Sequence, residues 1–238
     1  TYKGGLDRLD PKTDQIVHFR NIPNDINSIS HDKVRAIYED VNHNLWIGVE
    51  NGLNLYNKRE NKFTLFAHDD KDPESISNNR VFCITEDKEN NIWIATNNGL
   101  NRYIRETGKF EHFTEKDGLV NAEIYSLVTD GEGNLWMSTN KGISKFNPKS
   151  GVFTNYDVRD GLQSNEFNMG AYYKSRNGEI FLGGINGLNI FFPEKVKLSE
   201  FKPPVYVTAM GIFDKTRNLG DTKEIKLSYR ENFISFEF

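Results

Sequence analysis

A sequence unit recurs through most of this chain, and the repeat restricts the fold more than any other feature. Its clearest marker is an aromatic residue inside a short apolar run, found at Trp46, Trp93, Trp136 and Phe181. The intervals between these residues are 47, 43 and 45. A period of about 40 to 50 residues is typical of propellers and related arrays. The chain is therefore predicted to consist of copies of one structural unit.

Each copy carries the signals of four strands. Six residues after the marker aromatic, a glycine opens a short run such as Gly52-Leu53-Asn54-Leu55-Tyr56. An alternating run follows, as at residues 63–66, which favours an outer strand packed on one face. The unit begins with a more apolar run, such as residues 81–85, which indicates an inner strand covered on both faces. With turn-forming residues between the runs, the pattern predicts a four-stranded antiparallel meander.

A single small sheet cannot bury both of its faces, but copies stacked around an axis form the blades of a β-propeller. The predicted fold class is therefore all-β, with propeller blades in residues 1–197. The copies amount to the outer half of one blade, three whole blades and the inner three strands of another. A closed ring of four or five blades fits this count, but the incomplete first and last blades favour a partial ring from a longer propeller. The copies lie at about residues 4–20, 34–67, 81–114, 124–157 and 167–192.

The repeat stops after Phe192-Pro193, and Lys202-Pro203-Pro204 is typical of a linker. Three strand-like runs follow, at residues 205–213, 224–227 and 233–238, and the last two alternate with period two. They predict a second β domain over residues 198–238. Because the chain ends within this pattern, we expect that domain to be truncated.

The composition narrows the functional classes. A chain of 238 residues can bury a substantial core. Its formal net charge of −4 offers no general attraction to phosphate backbones, so nucleic acid is not expected as a partner. The one cysteine, Cys83, lies in an apolar run and is predicted to be a small buried residue. No run approaches the roughly 18 apolar residues of a membrane helix, and the first residues lack the features of a signal peptide.

The repeated phrases resemble the two-component regulator propeller repeat. These phrases are Asn-Leu-Trp-Ile-Gly, Asn-Gly-Leu-Asn-x-Tyr, Asp-Gly-Leu-x-Ser-Asn-x-Phe-Asn at residues 160–168, and Asn-Gly-Leu-Asn-Ile-Phe-x-Pro. Residues 203–208 and 227–236 resemble the start of the β-sandwich domain, called Y_Y_Y, that follows such propellers. The resemblance implies the periplasmic sensor region of a hybrid two-component regulator. In that family, gut-type Gram-negative bacteria detect oligosaccharides released from glycans.

The same resemblance implies a division of labour within a longer protein. The transmembrane helix, the histidine kinase and the response regulator would lie in segments that this chain lacks, so contact with the membrane is expected only through them. The chain itself would bind a ligand and relay a signal, in a homodimer formed through the complete ectodomain. No cofactor and no catalytic residue is expected in it.

The connections between blades are the predicted ligand site, since they lead from an outer strand back to the axis and line one face of the central opening. Their polar side chains match sugar hydroxyls, with Tyr125 or Phe167 as a stacking face. In the competing interpretation, the same asparagines and serines only cap turns. The candidate ligand-binding residues are His31, Asn78, Asn79, Arg80, Asn121, Glu123, Tyr125, Asn165, Glu166 and Phe167.

Other kinds of site find less support. Glu123 and Glu166 occupy matching positions in neighbouring blades, so they would form the carboxylate pair of a glycosidase if they faced each other. Asp40-x-Asn42-x-Asn44 resembles the start of a calcium loop, but its twelfth position is Asn51 instead of an acid, which favours a hairpin turn. A metal site is not predicted, because the five histidines lack metal-ligand spacing.

Two of these histidines, His18 and His112, take equivalent places on outer strands and are expected to be solvated. The sequence contains neither a nucleophile elbow nor a phosphate-binding glycine loop. Ligand sensing is therefore the leading hypothesis. A polysaccharide-active propeller enzyme and a protein-interaction scaffold remain as alternatives.

Overall fold

Short antiparallel strands follow one another along the chain, and each pairs with its neighbour in sequence. The computed structural model describes residues 3–196, 207–213, 215–218, 225–230 and 232–237. Contacts divide the chain into two units, Thr1–Val196 and Lys197–Phe238. The strands of the first unit are β1 (Leu6–Leu9), β2 (Ile16–Phe19), β3 (Val34–Glu39), β4 (Leu45–Val49), β5 (Gly52–Asn57), β6 (Lys62–Phe66), β7 (Val81–Glu86), β8 (Ile92–Thr96), β9 (Gly99–Ile104), β10 (Lys109–Phe113), β11 (Ile124–Thr129), β12 (Leu135–Thr139), β13 (Gly142–Asn147), β14 (Val152–Tyr156), β15 (Phe167–Lys174), β16 (Ile180–Gly184) and β17 (Gly187–Phe191).

These strands form five sheets in which strand order follows chain order. β1 and β2 make an N-terminal hairpin. The sheets β3–β6, β7–β10 and β11–β14 are four-stranded, and we call them blades 1, 2 and 3; the three-stranded sheet β15–β17 is blade 4. Within residues 3–196, no strand of the hairpin pairs with blade 4, so the sheets do not close into a ring. The all-β class and the predicted series of partial and complete blades are confirmed.

Helical structure in the described residues is limited to three single turns of 3-10 helix. None of these turns is long or apolar enough to cross a membrane. Two of them connect blades and end at a glycine with positive φ, Gly118 and Gly161. The turns lie at Glu115–Asp117, Val158–Asp160 and Pro193–Lys195.

The first strand of each blade lies innermost. β3 packs beside β7, β7 beside β11, and β11 beside β15, while β7 also approaches β15. The four first strands therefore gather around one central opening, as the apolar runs at the start of each repeat predict. Each blade connection leads directly into one of these strands. All the connections thus reach the same end of the opening.

A tryptophan fills each of the three interfaces between neighbouring blades, from blade 1 to blade 4, and we call each interface a seam. Trp46, Trp93 and Trp136 are at most 1% exposed. In the seam between blades 1 and 2, Trp46 packs on Tyr103 with the ring centroids 4.9 Å apart. Trp93 similarly meets Phe146 at 5.7 Å. Burial of side chains this large stabilises the stack by about 2–3 kcal/mol each, which no isolated blade would gain.

An aspartate holds each of these tryptophans in place. Asp40, Asp87 and Asp130, six residues earlier in the chain, accept a hydrogen bond from the indole Nε1 at 3.0, 2.7 and 2.9 Å. The same carboxylates also accept bonds from an asparagine two residues before the tryptophan, as Asp130 does from Asn134 Nδ2 at 2.8 Å. A buried indole N–H would otherwise lack a partner. The expected hairpin turn at Asp40 is thus confirmed, with a buried carboxylate at its centre.

We expect Asp130→Ala to lower the free energy of unfolding by about 2–4 kcal/mol, because the buried N–H groups of Trp136 and Asn134 lose their acceptor. Burial works to raise the pKa of Asp130, but the bonds from Asn134 and Trp136 outweigh it and hold the pKa below the ordinary 3.8. The carboxylate therefore stabilises the fold above that pH, and its contribution disappears as the pH falls through the lowered value.

Urea denaturation at several pH values checks both points. The difference in the free energy of unfolding between the native protein and Asp130→Ala should become smaller below about pH 4. Glu106→Ala, which changes an exposed side chain, is the control. The role given to Asp130 would be contradicted if Asp130→Ala lowered the free energy of unfolding no more than Glu106→Ala does, or if its effect did not change with pH.

The seam between blades 1 and 2 also contains an ion cluster. Arg105, the residue directly after β9, extends to the turn of blade 1, where Nη2 lies 3.1 Å from Asp40 Oδ2. The same nitrogen lies 3.4 Å from Glu86 Oε1, and the other oxygen of Glu86 accepts a bond from the backbone N–H of Val41 at 2.9 Å. Both carboxylate side chains are nearly inaccessible, at 0% and 4% exposure. One guanidinium therefore serves two buried acids from different blades.

Arg105→Ala should destabilise the chain by about 2–4 kcal/mol, since it leaves two buried carboxylates without their cation. The loss should appear as a lower urea midpoint at pH 7. Arg59→Ala, at an exposed turn position of blade 1, is the matched control and should change the stability by less than about 0.5 kcal/mol. Equal stabilities of the two variants would show that the cluster does not hold the seam.

The glycine that opens the third strand of each blade is required by a close backbone approach. Gly52 and Gly99 have φ values of 127° and 96°. A Cβ at either position would lie 2.6 Å from a carbonyl oxygen of the fourth strand, that of Phe66 or Phe113. Only glycine tolerates both the backbone conformation and this contact.

The second unit contains one three-stranded antiparallel sheet among its described residues. β18 (Ala209–Ile212) lies in the centre, flanked by β19 (Lys215–Asn218) and β20 (Ile234–Glu237). The strands expected within 205–213 and 233–238 are present in their described parts; residues 205, 206 and 238 lie outside the described residues. The assignment of the second unit to a Y_Y_Y sandwich stays a prediction.

One strand prediction in this unit was wrong, and one strand was not predicted. In the run expected at residues 224–227, residue 224 lies outside the described residues and residues 225–227 are not in a strand; the described strands β19 and β20 already occupy both edges of β18. β19, in contrast, was not predicted, because Lys215-Thr216-Arg217-Asn218 contains no apolar residue. Backbone pairing with β18 forms this strand without any alternating pattern.

Candidate functional site

His31, Asn78, Asn121 and Ser164 take matching places in the blade connections, and each caps a turn. His31 Nδ1 accepts a hydrogen bond from the backbone N–H of Lys33 at 2.8 Å. Asn78 and Asn121 do the same through Oδ1 for the residue two positions on, at 2.9 and 3.0 Å. Ser164 repeats the contact in blade 4. These side chains shape the connections, as the turn-capping interpretation predicts, and each has committed one acceptor atom to the backbone.

The residue that directly follows each of these turn caps ties the connection to the end of the preceding outer strand. Asn79 Oδ1 accepts a bond from the backbone N–H of His68 at 2.7 Å, and Asn165 Oδ1 from that of Val158 at 2.9 Å. Blade 3 has Ala122 at this place, and there Glu115 accepts the bond from the Ala122 N–H at 3.1 Å. Asn79 and Asn165 thus also have a structural role.

The residues that directly precede or begin the inner strands differ in charge around the opening. We use the word mouth for Lys33, Arg35, Glu50, Arg80, Glu123, Tyr125 and Glu166. On the side of blades 1 and 2, Arg80 Nε donates to Glu50 Oε1 at 3.0 Å, and Arg35 Nε donates to Glu50 Oε2 at 2.9 Å. The Arg35 hydrogen bond, reinforced by the charges of Arg35 and Arg80, holds the pKa of Glu50 below its ordinary range.

On the side of blades 3 and 4 the mouth is acidic and carries the half-buried aromatic ring of Tyr125. Tyr125 donates its hydroxyl hydrogen to Glu123 Oε2 at 3.1 Å. Burial, followed by the hydrogen bond to Glu123 and the charge of Glu166, raises the pKa of Tyr125. Among the described residues, neither Glu123 nor Glu166 forms an ion pair. The mouth therefore offers guanidinium donors at one side and carboxylate acceptors with a phenol at the other.

Phe167 does not belong to this surface. Its ring is 2% exposed and packs in the seam between blades 3 and 4, with Trp136, Val128 and Leu182. A ring buried there offers no face to a ligand, so the prediction for Phe167 is wrong. Tyr125 is half-buried, so its ring remains the predicted stacking face.

Blade 4 adds an element that the search of the connections missed. In β15, the register with β16 shifts between Phe167 and Tyr172, whereas in blade 3 it shifts only between Ile124 and Ser126. Phe181 follows Phe167 by 14 residues, against 12 for the corresponding pair in the other blades, so the insertion is visible in the sequence. The resulting bulge carries Met169 towards β3, where Arg35 Nη1 lies 3.5 Å from its sulfur. Bulges of this kind redirect side chains near functional sites.

Arg35 is one of three mouth residues, with Lys33 and Glu50, that the sequence did not predict as site residues. Besides Glu50 and Met169, its guanidinium lies over the ring of Phe82, 5.5 Å from the centroid. It therefore links blades 1, 2 and 4 at the end of the opening. The sequence did contain a signal for this residue, because Arg35 is a cation among the apolar residues at the start of the inner strand β3.

The predicted absence of a metal site rests on spacing, and in the described residues no three histidine, cysteine or acidic side chains come together as metal ligands. His18 is solvated, as expected, and bonds to Asp7. His112 departs from the prediction: it is half-buried, and its Nε2 lies 2.6 Å from the carbonyl oxygen of Ser75. This contact ties the outer strand of blade 2 to the connection before it.

Cys83 of β7 packs in the apolar core between blades 2 and 3. It is fully buried, and its Sγ lies 3.5 Å from the carbonyl oxygen of Tyr125. Burial raises the pKa of the Cys83 thiol to about 11, and burial beside Cys83 also raises the pKa of Tyr172. The prediction of a small buried cysteine is confirmed.

We therefore expect Cys83 to resist alkylation by iodoacetamide at pH 8 in the folded chain, because a buried thiol with this pKa forms almost no thiolate. In urea, the thiol should react at the rate of an ordinary cysteine. Mass spectrometry after timed quenching measures both rates. Rapid labelling of the native chain, without loss of structure, would contradict the burial of Cys83.

A surface cavity of about 540 Å³ lies away from the mouth. Its lining includes Asn42, Asn44, Asn57 and Arg59, from the two turns of blade 1 that lie at the opposite end of the strands from the connections. It is wide open and shares none of its residues with the predicted site. The mouth remains the place where several blades contribute side chains.

Comparison with known families identifies the repeated unit. The two-component regulator propeller repeat matches residues 28–51, 75–98 and 118–141. The chain contains two-component regulator propeller repeats. Each matched regulator propeller repeat begins in a blade connection and ends after the tryptophan strand, so it includes the seam tryptophan and the mouth residues of its own blade. Of the predicted site residues, Asn165 and Glu166 in the connection before blade 4, and Phe167 at its start, lie outside the matched regulator propeller repeats.

Solved structures that resemble these regulator propeller repeats over most of the chain include extracellular domains from Bacteroides thetaiotaomicron. One, from a protein assigned as a hybrid two-component system, is 26% identical with a TM-score of 0.74 and covers 94% of this chain and 29% of that chain. A second such domain is 21% identical with a TM-score of 0.70, covers 90% of this chain and 31% of that chain, and supports the fold alone. The chain thus spans less than a third of the length of these proteins.

An enzyme shares the architecture as well. Virginiamycin B lyase from Staphylococcus aureus has a TM-score of 0.61 and covers 85% of this chain and 64% of the lyase. At 15% identity, this likeness shows only the fold. No curated protein sequence matches the chain.

Proposed function

We propose that the chain is an extracytoplasmic ligand-sensing and signal-relay part of a hybrid two-component sensor, and that its ligand is an oligosaccharide. The observation that carries the proposal is the 26% identity, over 94% of the chain, to the extracellular domain of a hybrid two-component system. The regulator propeller repeats support the same class of protein. In a Gram-negative cell the chain would lie in the periplasm.

The mouth supplies the chemistry that an oligosaccharide requires. Sugar hydroxyls are both donors and acceptors, and planar side chains such as guanidinium and carboxylate groups bind them in pairs. Arg80 offers donors, Glu123 and Glu166 offer acceptors, and the half-buried ring of Tyr125 lies between the two glutamates in sequence. Five further predicted residues would support this surface by shaping the connections: His31, Asn78, Asn79, Asn121 and Asn165. One acceptor atom of each is already bonded to the backbone, so only their other polar atoms would be available to a ligand.

Signal relay would work through the geometry of the larger assembly. A ligand shifts a conformational equilibrium only when it binds one state more tightly than the other. We propose that binding at the mouth favours one arrangement of the propeller relative to the second unit, as a Y_Y_Y sandwich, in a homodimer of the ectodomain. Attachment to the membrane and phosphoryl transfer would belong to other parts of the longer protein.

Catalysis by this chain is not part of the proposal. Glu166 is exposed, and Glu123 accepts a hydrogen bond from Tyr125. In a glycosidase, the general acid usually lies in a buried pocket that raises its pKa, opposite the second carboxylate. The formal charge of −4 supports the view that the ligand is not a nucleic acid.

We expect the ectodomain that contains this chain to show a reproducible rise in melting temperature with one class of oligosaccharide and no cleavage products. Tyr125→Ala should abolish the rise, because it removes the stacking ring and the hydroxyl at the mouth. Tyr229→Ala, which changes an 84% exposed tyrosine of the second unit, is the matched control and should keep it. Differential scanning fluorimetry over a glycan panel, with product analysis, measures both.

The other outcomes separate the alternatives. Product formation that is lost in Glu123→Gln or Glu166→Gln would replace sensing by hydrolysis. A panel without any shift would favour a protein-interaction scaffold. A shift that Tyr125→Ala leaves unchanged would place the ligand outside the mouth.

A further inference from the structure

Charge is divided between the two sides of the mouth. The residues that directly precede the four inner strands are, in chain order, Lys33, Arg80, Glu123 and Glu166. The cations thus belong to blades 1 and 2, and the acids to blades 3 and 4. Sugar hydroxyls both donate and accept hydrogen bonds, so a neutral sugar would not distinguish these two sides by charge. The division therefore indicates a ligand that carries charge itself.

The one acid on the cationic side, Glu50, is already used by its neighbours. Arg35 donates to Glu50 Oε2 through Nε and Nη2, and Arg80 donates to Oε1 through Nε. The charge of Lys33 also acts on this carboxylate. The Glu50 side chain is 19% exposed, against 47% for Arg80. With three cations around one covered acid, this side of the mouth presents net positive charge to a ligand.

Arg80 presents the terminal end of its guanidinium group. Its Nε lies 3.0 Å from Glu50 Oε1, whereas Nη1 and Nη2 form no hydrogen bond with any of the described residues. The two terminal nitrogens of a guanidinium carry parallel N–H groups that match the paired oxygens of a carboxylate or a sulfate ester. The bond to Glu50 orients this group before a ligand arrives, which lowers the entropy lost on binding.

Arg35 adds a second positive charge at a fixed place. Its guanidinium bonds to Glu50 and lies 5.5 Å from the centroid of the Phe82 ring. Its Nη1 lies 3.5 Å from the sulfur of Met169. A guanidinium stays protonated at any physiological pH. An anion bound at Arg80 would therefore meet a positive potential from both arginines that hold Glu50.

The opposite side of the mouth gives such a ligand a direction. Glu123 accepts a hydrogen bond from Tyr125, and among the described residues neither Glu123 nor Glu166 forms an ion pair. Two carboxylates repel an anionic group at this side, yet they accept hydrogen bonds from neutral hydroxyls. The charged part of a ligand is thus favoured at Arg80, and an uncharged sugar is favoured beside Tyr125.

We propose that the ligand of the mouth is an acidic oligosaccharide, whose carboxylate or sulfate group binds Nη1 and Nη2 of Arg80 and whose neutral sugar lies towards Tyr125 and Glu123. The inference rests on the proposed function, because it takes an oligosaccharide at the mouth as its starting point. It adds the charge of that ligand and the side chain that selects it. The formal net charge of −4 offers an anion no general attraction, so the selectivity comes from this local cluster.

Isothermal titration calorimetry on the complete ectodomain, with matched glycans, tests the charge of the ligand. Oligogalacturonides carry carboxylates, and sulfated galacto-oligosaccharides carry sulfate esters. Their neutral counterparts are the carboxyl-reduced and the unsulfated forms of the same chains. The acidic form of one class should bind at least about tenfold more tightly than its counterpart, since hydrogen bonds to a charged group contribute that factor. Its dissociation constant should rise with salt concentration, and the class that binds identifies the anionic group.

Variants of the same ectodomain test the role of Arg80. Arg80→Gln should weaken binding of the acidic glycan by about tenfold or more and remove most of the preference over the neutral form. Arg80→Lys, which keeps the charge but lacks the paired N–H groups, should restore only part of the affinity. Arg59→Gln removes a guanidinium at the opposite end of the strands of blade 1 and should leave binding unchanged. Melting temperatures without glycan check that each variant is folded.

The outcomes separate this inference from the proposed function. Equal or tighter binding of the neutral forms, or a preference for acidic glycans that Arg80→Gln leaves intact, would overturn the inference while oligosaccharide sensing stands. The native ectodomain decides the first of these points without any variant. Absence of binding by every glycan, acidic or neutral, would overturn the proposed function and the inference together.

Discussion

The seam between neighbouring blades is the interaction on which the rest of the structure depends. A four-stranded sheet of this size has two apolar faces and can bury neither alone. The buried tryptophan solves this only if its indole N–H finds a partner, and an aspartate in the turn of the same blade provides it. The carbon face of the ring is then free to pack on an aromatic residue of the next blade. Each blade thus prepares, within its own sequence, the surface that its neighbour covers.

The mouth is a consequence of these seams. Because the seams hold the first strands of four blades side by side, the residues that precede those strands meet at one end of the opening, although they are more than 40 residues apart in sequence. The blades are alike in backbone but differ in side chains at this place. Arginines cluster around Glu50 on one side, and Glu123, Tyr125 and Glu166 lie on the other. A repeated scaffold thereby carries an unrepeated surface, which is what selective recognition requires.

The fold was largely predictable because it depends on local sequence patterns that recur along the chain. Marker aromatics, opening glycines and alternating runs located the strands of blades 1 to 4. The site was predictable only in part. Asn78, Asn121 and Asn165 have the residue types of a sugar site, but their side chains bond to nearby backbone groups, and only coordinates show which polar atoms are already used. Phe167 was assigned to the surface because the sequence does not show which way a strand-end residue points, and the seam has buried it.

The sequence by itself determined the repeat, the strand order within each blade and the places where turns and glycines are needed, since these depend on residues close together in the chain. It also contained the two-residue insertion in β15, although nothing in the sequence showed that the bulge would bring Met169 to Arg35. Only the tertiary structure decided which side chains of different blades meet, which carboxylates are buried beside Arg105, and which strand edge stays open. These depend on distances across the central opening and the seams, and such distances arise only when the blades stack.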